Sequence, residues 1–303
     1  MKKIRFPDAR PESSDQFLYH YTTPEAALKH IFPTGALRAQ SFVHMNDPRE
    51  AKEWRFAAIG RIDDNADPSE LAEYNESADR RAHDAGKLAQ QSVRVLAFST
   101  DIEVSDSAIN PESVNLRGFA HPAMWWHYGQ RHAGVCLVLD RNLFSSAVEQ
   151  WAQREENRAV RDGIFHGAVT YKERWWPELP IKGTSHVFDD GGRDLRMETF
   201  SHLRRFWREL FLEKSTCWSY EYEYRWLFMS HGSEPFYIPI GDALVGIVIG
   251  EDFGKNLATG EVDSTAFQTL DLACRRWNIS AKQVWWSNGV TYLGARNWMK
   301  RKQ

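Results

Sequence analysis

Cysteine is scarce: Cys136, Cys217 and Cys274 are the only three in 303 residues, and they are far apart without a CxxC pair. Neither a disulfide framework nor a zinc knuckle is indicated, and a reducing cytosol suits the chain. Excess charge of one sign is also lacking. With 38 Lys and Arg against 41 Asp and Glu, the formal charge is -3, so no global basic field favours non-specific duplex binding as the main task. No hydrophobic run approaches a membrane span, and the opening MKKIRFPDARPESSDQ is positive without an apolar stretch. Residues 1–15 read as a polar lead-in. Gly-rich phosphate loops, HExxH and GxSxG are absent, which removes several enzyme classes at once.

Aromatics are plentiful at 13%, with 13 Trp that include adjacent pairs at 125/126, 175/176 and 285/286. Such pairs serve as core packing or as a stacking surface for bases or a nicotinamide ring. Local basic stretches, HLRRFWRE at 202–209 and the tail RNWMKRKQ at 296–303, could touch a phosphate backbone but read more simply as a solubilising helix face and a solvated terminus. The stretch WSYEYEYRWLF, residues 218–228, alternates at period two. It predicts one strand with Trp218, Tyr220, Tyr222, Tyr224, Trp226 and Phe228 on one face and Glu221, Glu223 and Arg225 on the other. That polar face is either solvated, with cross-strand ion pairs, or a carboxylate set inside a cleft.

Strands are expected at 17–21, 36–42, 93–100, 134–140, 168–172 and 242–250, and in QVWWS and VTYLG. Helices are expected after the Thr22/Thr23 cap, at 68–90, 141–158 and 264–277, and as one long amphipathic helix over 193–214. Strands do not alternate regularly with helices, which favours a single α+β domain over 16–303 with mostly antiparallel sheets and a helical insertion around 66–90. Asn46 and Asp47 predict an Asx turn capping the next helix, with Glu50 completing a capping box. His121, His127 and His132 are separated by intervals that match no usual zinc spacing.

LYHYT at 18–22, NDPRE at 46–50, Trp-x-x-Tyr-x-x-x-His-x-Gly from Trp125 to Gly134, the approach from Lys214 to Trp218, Glu-x-Glu-x-Arg at 221–225 and IVIG at 247–250 form an ordered set. The set resembles a bacterial family of unknown function, DUF2971. More distantly, the opening YHYTTPEAALKHIFPTGALRAQ is similar to ADP-ribosyltransferase-type folds. That resemblance implies NAD as a consumed substrate, with His20 holding a ribose and Glu223 or Glu221 completing the site. Tyr21 or Tyr128 would stack on nicotinamide, and Thr22, Asn46, His132 and Arg225 would join the NAD-binding set. It also implies a nucleic-acid or protein target, as for an antiphage or toxin-like effector.

Under that reading a fixed carboxylate at Glu223 stabilises the oxocarbenium-like charge, and Glu221 orients the nucleophile. Arg225 grips a phosphate or holds Glu223 ionised. Two other functions remain open: a metal-dependent nuclease using Asp47, Glu50, Glu221 and Glu223 as oxygen ligands, and a non-catalytic module binding a nucleotide or partner.

Overall fold

The computed structural model describes residues 16–52, 54, 56, 67–103, 113–173, 194–232, 234–256, 259 and 261–295. The polar lead-in, Trp175, Trp176 and the basic tail lie outside these residues. The described chain forms β1 (Phe17–Thr22), β2 (Ala36–Ser41), β3 (Val93–Ser99), β4 (Val135–Asp140), β5 (Ile164–Ala168), β6 (Thr170–Tyr171), β7 (Glu213–Lys214), β8 (Glu223–Met229), β9 (Phe236–Pro239), β10 (Leu244–Ile249), β11 (Ala281–Ser287) and β12 (Val290–Ala295).

Ten of these strands make one sheet in the order β12-β11-β10-β4-β1-β3-β2-β9, with β8 added on β3 and β5 on β8. Only β10–β11 pairs in parallel within it. β6 and β7 form a separate parallel pair. The class is therefore mixed α+β with a mostly antiparallel sheet, as the irregular order of strands and helices implies.

The sheet branches at β3. One edge of β3 pairs with β8 along its whole length, Val93 opposite Met229 through Ser99 opposite Glu223. The other edge is shared: β2 pairs at Arg94 and Val95, and β1 pairs only at Ser99, opposite Tyr19. Leu96 to Phe98 are left without a strand partner on that edge, so β1 and β2 diverge there.

Alternation assigns the two faces. Leu96, Phe98, Leu137, Leu139, Tyr224, Trp226 and Phe228 point into one large apolar cluster, covered by helices Arg141–Ala152 and Ser264–Trp277. Their neighbours point to the opposite face, which carries two clusters. Val93, Val95, Leu227 and Met229 pack with Phe42, Phe211 and helix Pro68–Ser92, whereas Tyr19, Tyr21, Cys136 and Val138 pack around Trp125.

Several expected elements are corrected. The strand over 218–228 begins only at Glu223, because Thr216–Glu221 is a 3₁₀ turn and Tyr222 adopts φ 45°. Leaving a left-handed residue at Tyr222 turns Glu221 back toward Lys214 instead of along the strand. The expected 193–214 helix breaks at Phe206 into Leu195–Arg205 and Trp207–Phe211, which brings Leu203, Trp207, Leu210 and Phe211 onto one cluster. The 141–158 helix stops at Ala152 and a 3₁₀ segment, Glu155–Gly163, follows. The 168–172 strand is divided at Val169, whose N–H donates to the Glu223 carbonyl. Helix Pro68–Ser92 buries Ala82, Ala85 and Ala89 and so forms part of the packed layer.

The Trp125–Gly134 motif builds a tight backbone crossing. Gln130, Arg131 and His132 have φ of 45°, 52° and 69°, three consecutive left-handed residues that cost about 1–2 kcal/mol each. The Asp252 N–H donates to the His132 carbonyl, and the Gly250 N–H to that of Gly134. A Cβ on Gly250 would lie 2.0 Å from the His132 oxygen. Gly250→Ala is expected to lower unfolding free energy by about 3 kcal/mol or more in urea titration, since backbone rather than a side-chain end must move.

Candidate functional site

Where β1 and β2 diverge, a cavity of about 260 Å³ opens against β3. His20, Tyr21, Asn46, Tyr128, Glu221 and Glu223 all line it, together with Arg38, Gln40 and Ser99. The ladder explains the meeting of distant residues. Tyr19 of β1 is opposite Ser99 of β3, and Ser99 is opposite Glu223 of β8, so the first strand and the acidic strand flank one residue.

His20 fills part of the gap in the sheet. Its Nδ1 is 3.1 Å from the Ala97 carbonyl, on the stretch of β3 that lacks a ladder partner. A nitrogen facing a carbonyl must donate, so the neutral ring carries its proton on Nδ1 and leaves Nε2 as an acceptor. Burial holds the pKa of His20 below the usual range, with the Ala97 hydrogen bond acting weakly against it. The ring is therefore neutral at pH 7.

Behind the cavity lies a buried charge network from three parts of the chain. Arg225, with no exposed surface, donates through Nε to Glu223 Oε1 at 2.6 Å and through Nη2 to Glu223 Oε2 at 2.8 Å. The same guanidinium donates to Glu50 at 2.6 and 3.1 Å and to the Phe211 carbonyl at 2.7 Å. Lys214 donates to Glu221 Oε2 at 2.5 Å and to Glu223 Oε2 at 3.2 Å, under the ring of Trp218 at 4.6 Å. The Tyr128 hydroxyl closes the set, donating to Glu221 Oε1 at 2.6 Å.

These contacts separate the acidity of neighbouring carboxylates. Burial alone would raise Glu223, but Arg225 and Lys214 outweigh it and hold the group at about 2. Glu221 is pushed up to about 7 by burial and by the Glu223 charge, against partial compensation from Lys214. Glu50 is raised by burial despite Arg225. Burial acts to lower Lys214, yet the Glu223 and Glu221 charges carry its pKa above the ordinary value. At neutral pH, Glu223 is a fixed anion and Glu221 exchanges its proton.

The solvated reading of the 221–225 face is thus overturned: Glu221, Glu223 and Arg225 are all buried. Arg225 lies behind Glu223 and does not line the cavity. Thr22 and His132 do not line it either; the Thr22 carbonyl packs where a Cβ on Gly134 would stand, and the His132 ring meets Trp286 at 4.9 Å. Asp47 caps the Arg49 N–H as expected, but the Glu50 side chain reaches Arg225 instead of closing a capping box. Of the carboxylates considered for Mg²⁺, Glu50, Glu221 and Glu223 are engaged by Arg225 or Lys214, a donor set matched to internal cations rather than to a divalent ion. Among the described residues, no His, Cys, Asp and Glu group is arranged to hold a metal. No described helix is long and apolar enough to cross a membrane.

Sequence reasoning gave no role to Lys214, Arg38 or Ser99. Lys214 entered only as part of a motif, and its function depends on both glutamates turning toward it. Arg225→Met is expected to lower unfolding free energy by about 3–5 kcal/mol, because Glu50 and Glu223 lose their shared partner while still buried. Adding Glu50→Gln and Glu223→Gln to that variant should recover a large part of the loss, as read by urea denaturation of the single and triple variants.

The comparisons bear on the same segment. Residues 124–226 match the family model described as "Protein of unknown function (DUF2971)". That span includes Tyr128, Lys214, Glu221, Glu223 and Arg225, and it leaves out His20 and Glu50. No curated protein and no solved structure matches the chain, so the ADP-ribosyltransferase resemblance gains no support from them. Residues 124–226 of this chain are a domain of the DUF2971 family.

Proposed function

We propose that the protein cleaves a glycosidic bond to ribose, with NAD as the consumed substrate, as an ADP-ribosyltransferase-like enzyme or NAD glycohydrolase. The observation that carries this reading is that Glu221 and Glu223 line one cavity with His20 while Arg225 and Lys214 bind Glu223, whereas Lys214 and the Tyr128 hydroxyl bind Glu221. The pKa of Glu221 therefore stays raised by burial and that of Glu223 is lowered. Such a pair suits glycosyl chemistry, where one group handles a proton while another stays charged.

The bond from nicotinamide nitrogen to ribose breaks with its electron pair leaving on nicotinamide, which departs neutral. Positive charge develops on the sugar carbon and faces the carboxylates at the cavity floor. Water or a target nucleophile then bonds to that carbon and gives its proton to Glu221. Glu223 is held by the permanently charged Arg225 as well as Lys214, whereas Glu221 accepts from Lys214 and the neutral Tyr128 hydroxyl and has the higher pKa. This favours Glu221 as the reacting carboxylate and Glu223 as the anion that positions Lys214 beneath it. His20 Nε2 would accept from a ribose hydroxyl. An acceptor other than water, a nucleic acid or a protein side chain, would enter from the exposed rim near Gln40 and Asn46.

Incubation with NAD, alone and with RNA, DNA or protein acceptors, tests the reading by chromatography of released nicotinamide. Wild type is expected to release it without need for added metal, and Glu221→Gln to slow release by about 10²-fold or more. Because Glu221 acts unprotonated, kcat/KM should rise with pH through about 7 and then level, and this rise should vanish in Glu221→Gln. Absence of release with every acceptor class contradicts the reading.

A further inference from the structure

We propose that the cavity binds a ribosyl phosphate in a single orientation, with the sugar hydroxyls at Ser99 on the floor and the phosphate at Arg38 on the rim. The inference rests on the ribosyl reading above and adds two residues and a direction to it.

Ser99 is 1% exposed, lines the cavity, and its hydroxyl has no hydrogen-bond partner among the described residues. A buried hydroxyl left unpaired is costly, so its presence at this position is explained by a partner that arrives with the ligand. Its place in the ladder, between Tyr19 and Glu223, sets it beside both the His20 strand and the acidic strand. The Ser99 hydroxyl can both donate and accept, and His20 Nε2 can accept. Together they fit a ring carrying adjacent hydroxyls.

The exposed rim of the cavity has the other polarity. Arg38 alternates with the buried Leu37 and Ala39, so it points outward from β2 at the cavity wall. Its side chain makes no ion pair or hydrogen bond among the described residues. His44 and Gln40 accompany it on the rim. A phosphate at the floor would meet Glu221 and Glu223, whereas at Arg38 it gains a fork of donors suited to its oxygens. The unpaired stretch of β3, Leu96 to Phe98, separates Val95, paired with Gln40 of the rim strand, from Ser99 by about 13 Å along the strand.

Calorimetric titration with ribose 5-phosphate, ADP-ribose and ribose, on wild type, Ser99→Ala and Arg38→Gln, tests the proposal, with melting temperatures of the unliganded proteins measured alongside. Both phosphorylated ligands should bind wild type. Ser99→Ala should weaken them about tenfold while the unliganded melting temperature holds or rises, as expected when an unpaired buried hydroxyl is removed. Arg38→Gln should weaken the phosphorylated ligands about tenfold and leave the weaker binding of ribose unchanged.

Wild-type affinity retained in Ser99→Ala, or equal loss of ribose and ribose 5-phosphate in Arg38→Gln, overturns the proposal. The two readings fail separately. Ribosyl phosphate bound as described without nicotinamide release from NAD upholds the site and removes the enzymatic reading. NAD cleavage by a protein whose affinity for ribosyl phosphates ignores both substitutions overturns the orientation alone.

Discussion

Arg225 places a guanidinium where water does not reach, and it is held there by carboxylates from opposite parts of the chain, Glu50 and Glu223. An unpaired ion in that position would cost several kcal/mol, so the segment after β2, the start of β8 and the Phe211 carbonyl must converge on it together. Lys214 extends the same requirement to Glu221. The network touches both apolar clusters on this face of the sheet, at Phe211 through Arg225 and at Tyr128 through Glu221.

The same pairing sets the chemistry. With two cations among three carboxylates, the network cannot keep every acid equally ionised, and geometry decides which one yields. Glu223 takes both Arg225 and Lys214 and stays charged; Glu221 shares only Lys214 and the Tyr128 hydroxyl and holds its proton to about neutral pH. Divergence of β1 from β2 then opens the sheet beside this pair, and His20 occupies the carbonyl that the missing strand partner would have used. Packing, charge and access are consequences of one arrangement.

Much of the sheet was legible because period-two alternation survives burial. Tyr224, Trp226 and Phe228 share a face as the alternation of WSYEYEYRWLF implies, and Glu223 and Arg225 share the other. Trp218 to Tyr222 were misread because a strand pattern carries no mark of a left-handed residue at Tyr222. The burial of the acids was equally hidden, since Lys214, Glu50 and Arg225 are brought together only by tertiary structure. Thr22, Gly134 and His132 belong to motif segments that serve the backbone crossing, whereas Tyr128, within the same motif, reaches the site. A motif therefore combined structural and site residues that spacing alone could not separate. Ser99 gave no local signal, because a Ser at the end of an apolar strand gains its meaning only from what lacks a partner around it.

The chemistry of the cavity depends on the unequal acidity of two adjacent glutamates. Carbon-detected NMR titration of their side-chain carboxyl groups, assigned with Glu221→Gln and Glu223→Gln, measures it directly. The network predicts a Glu221 carboxyl that titrates near pH 7 and a Glu223 carboxyl that remains ionised down to about pH 2. Two ordinary titrations near the unperturbed glutamate value of 4.5 would contradict it.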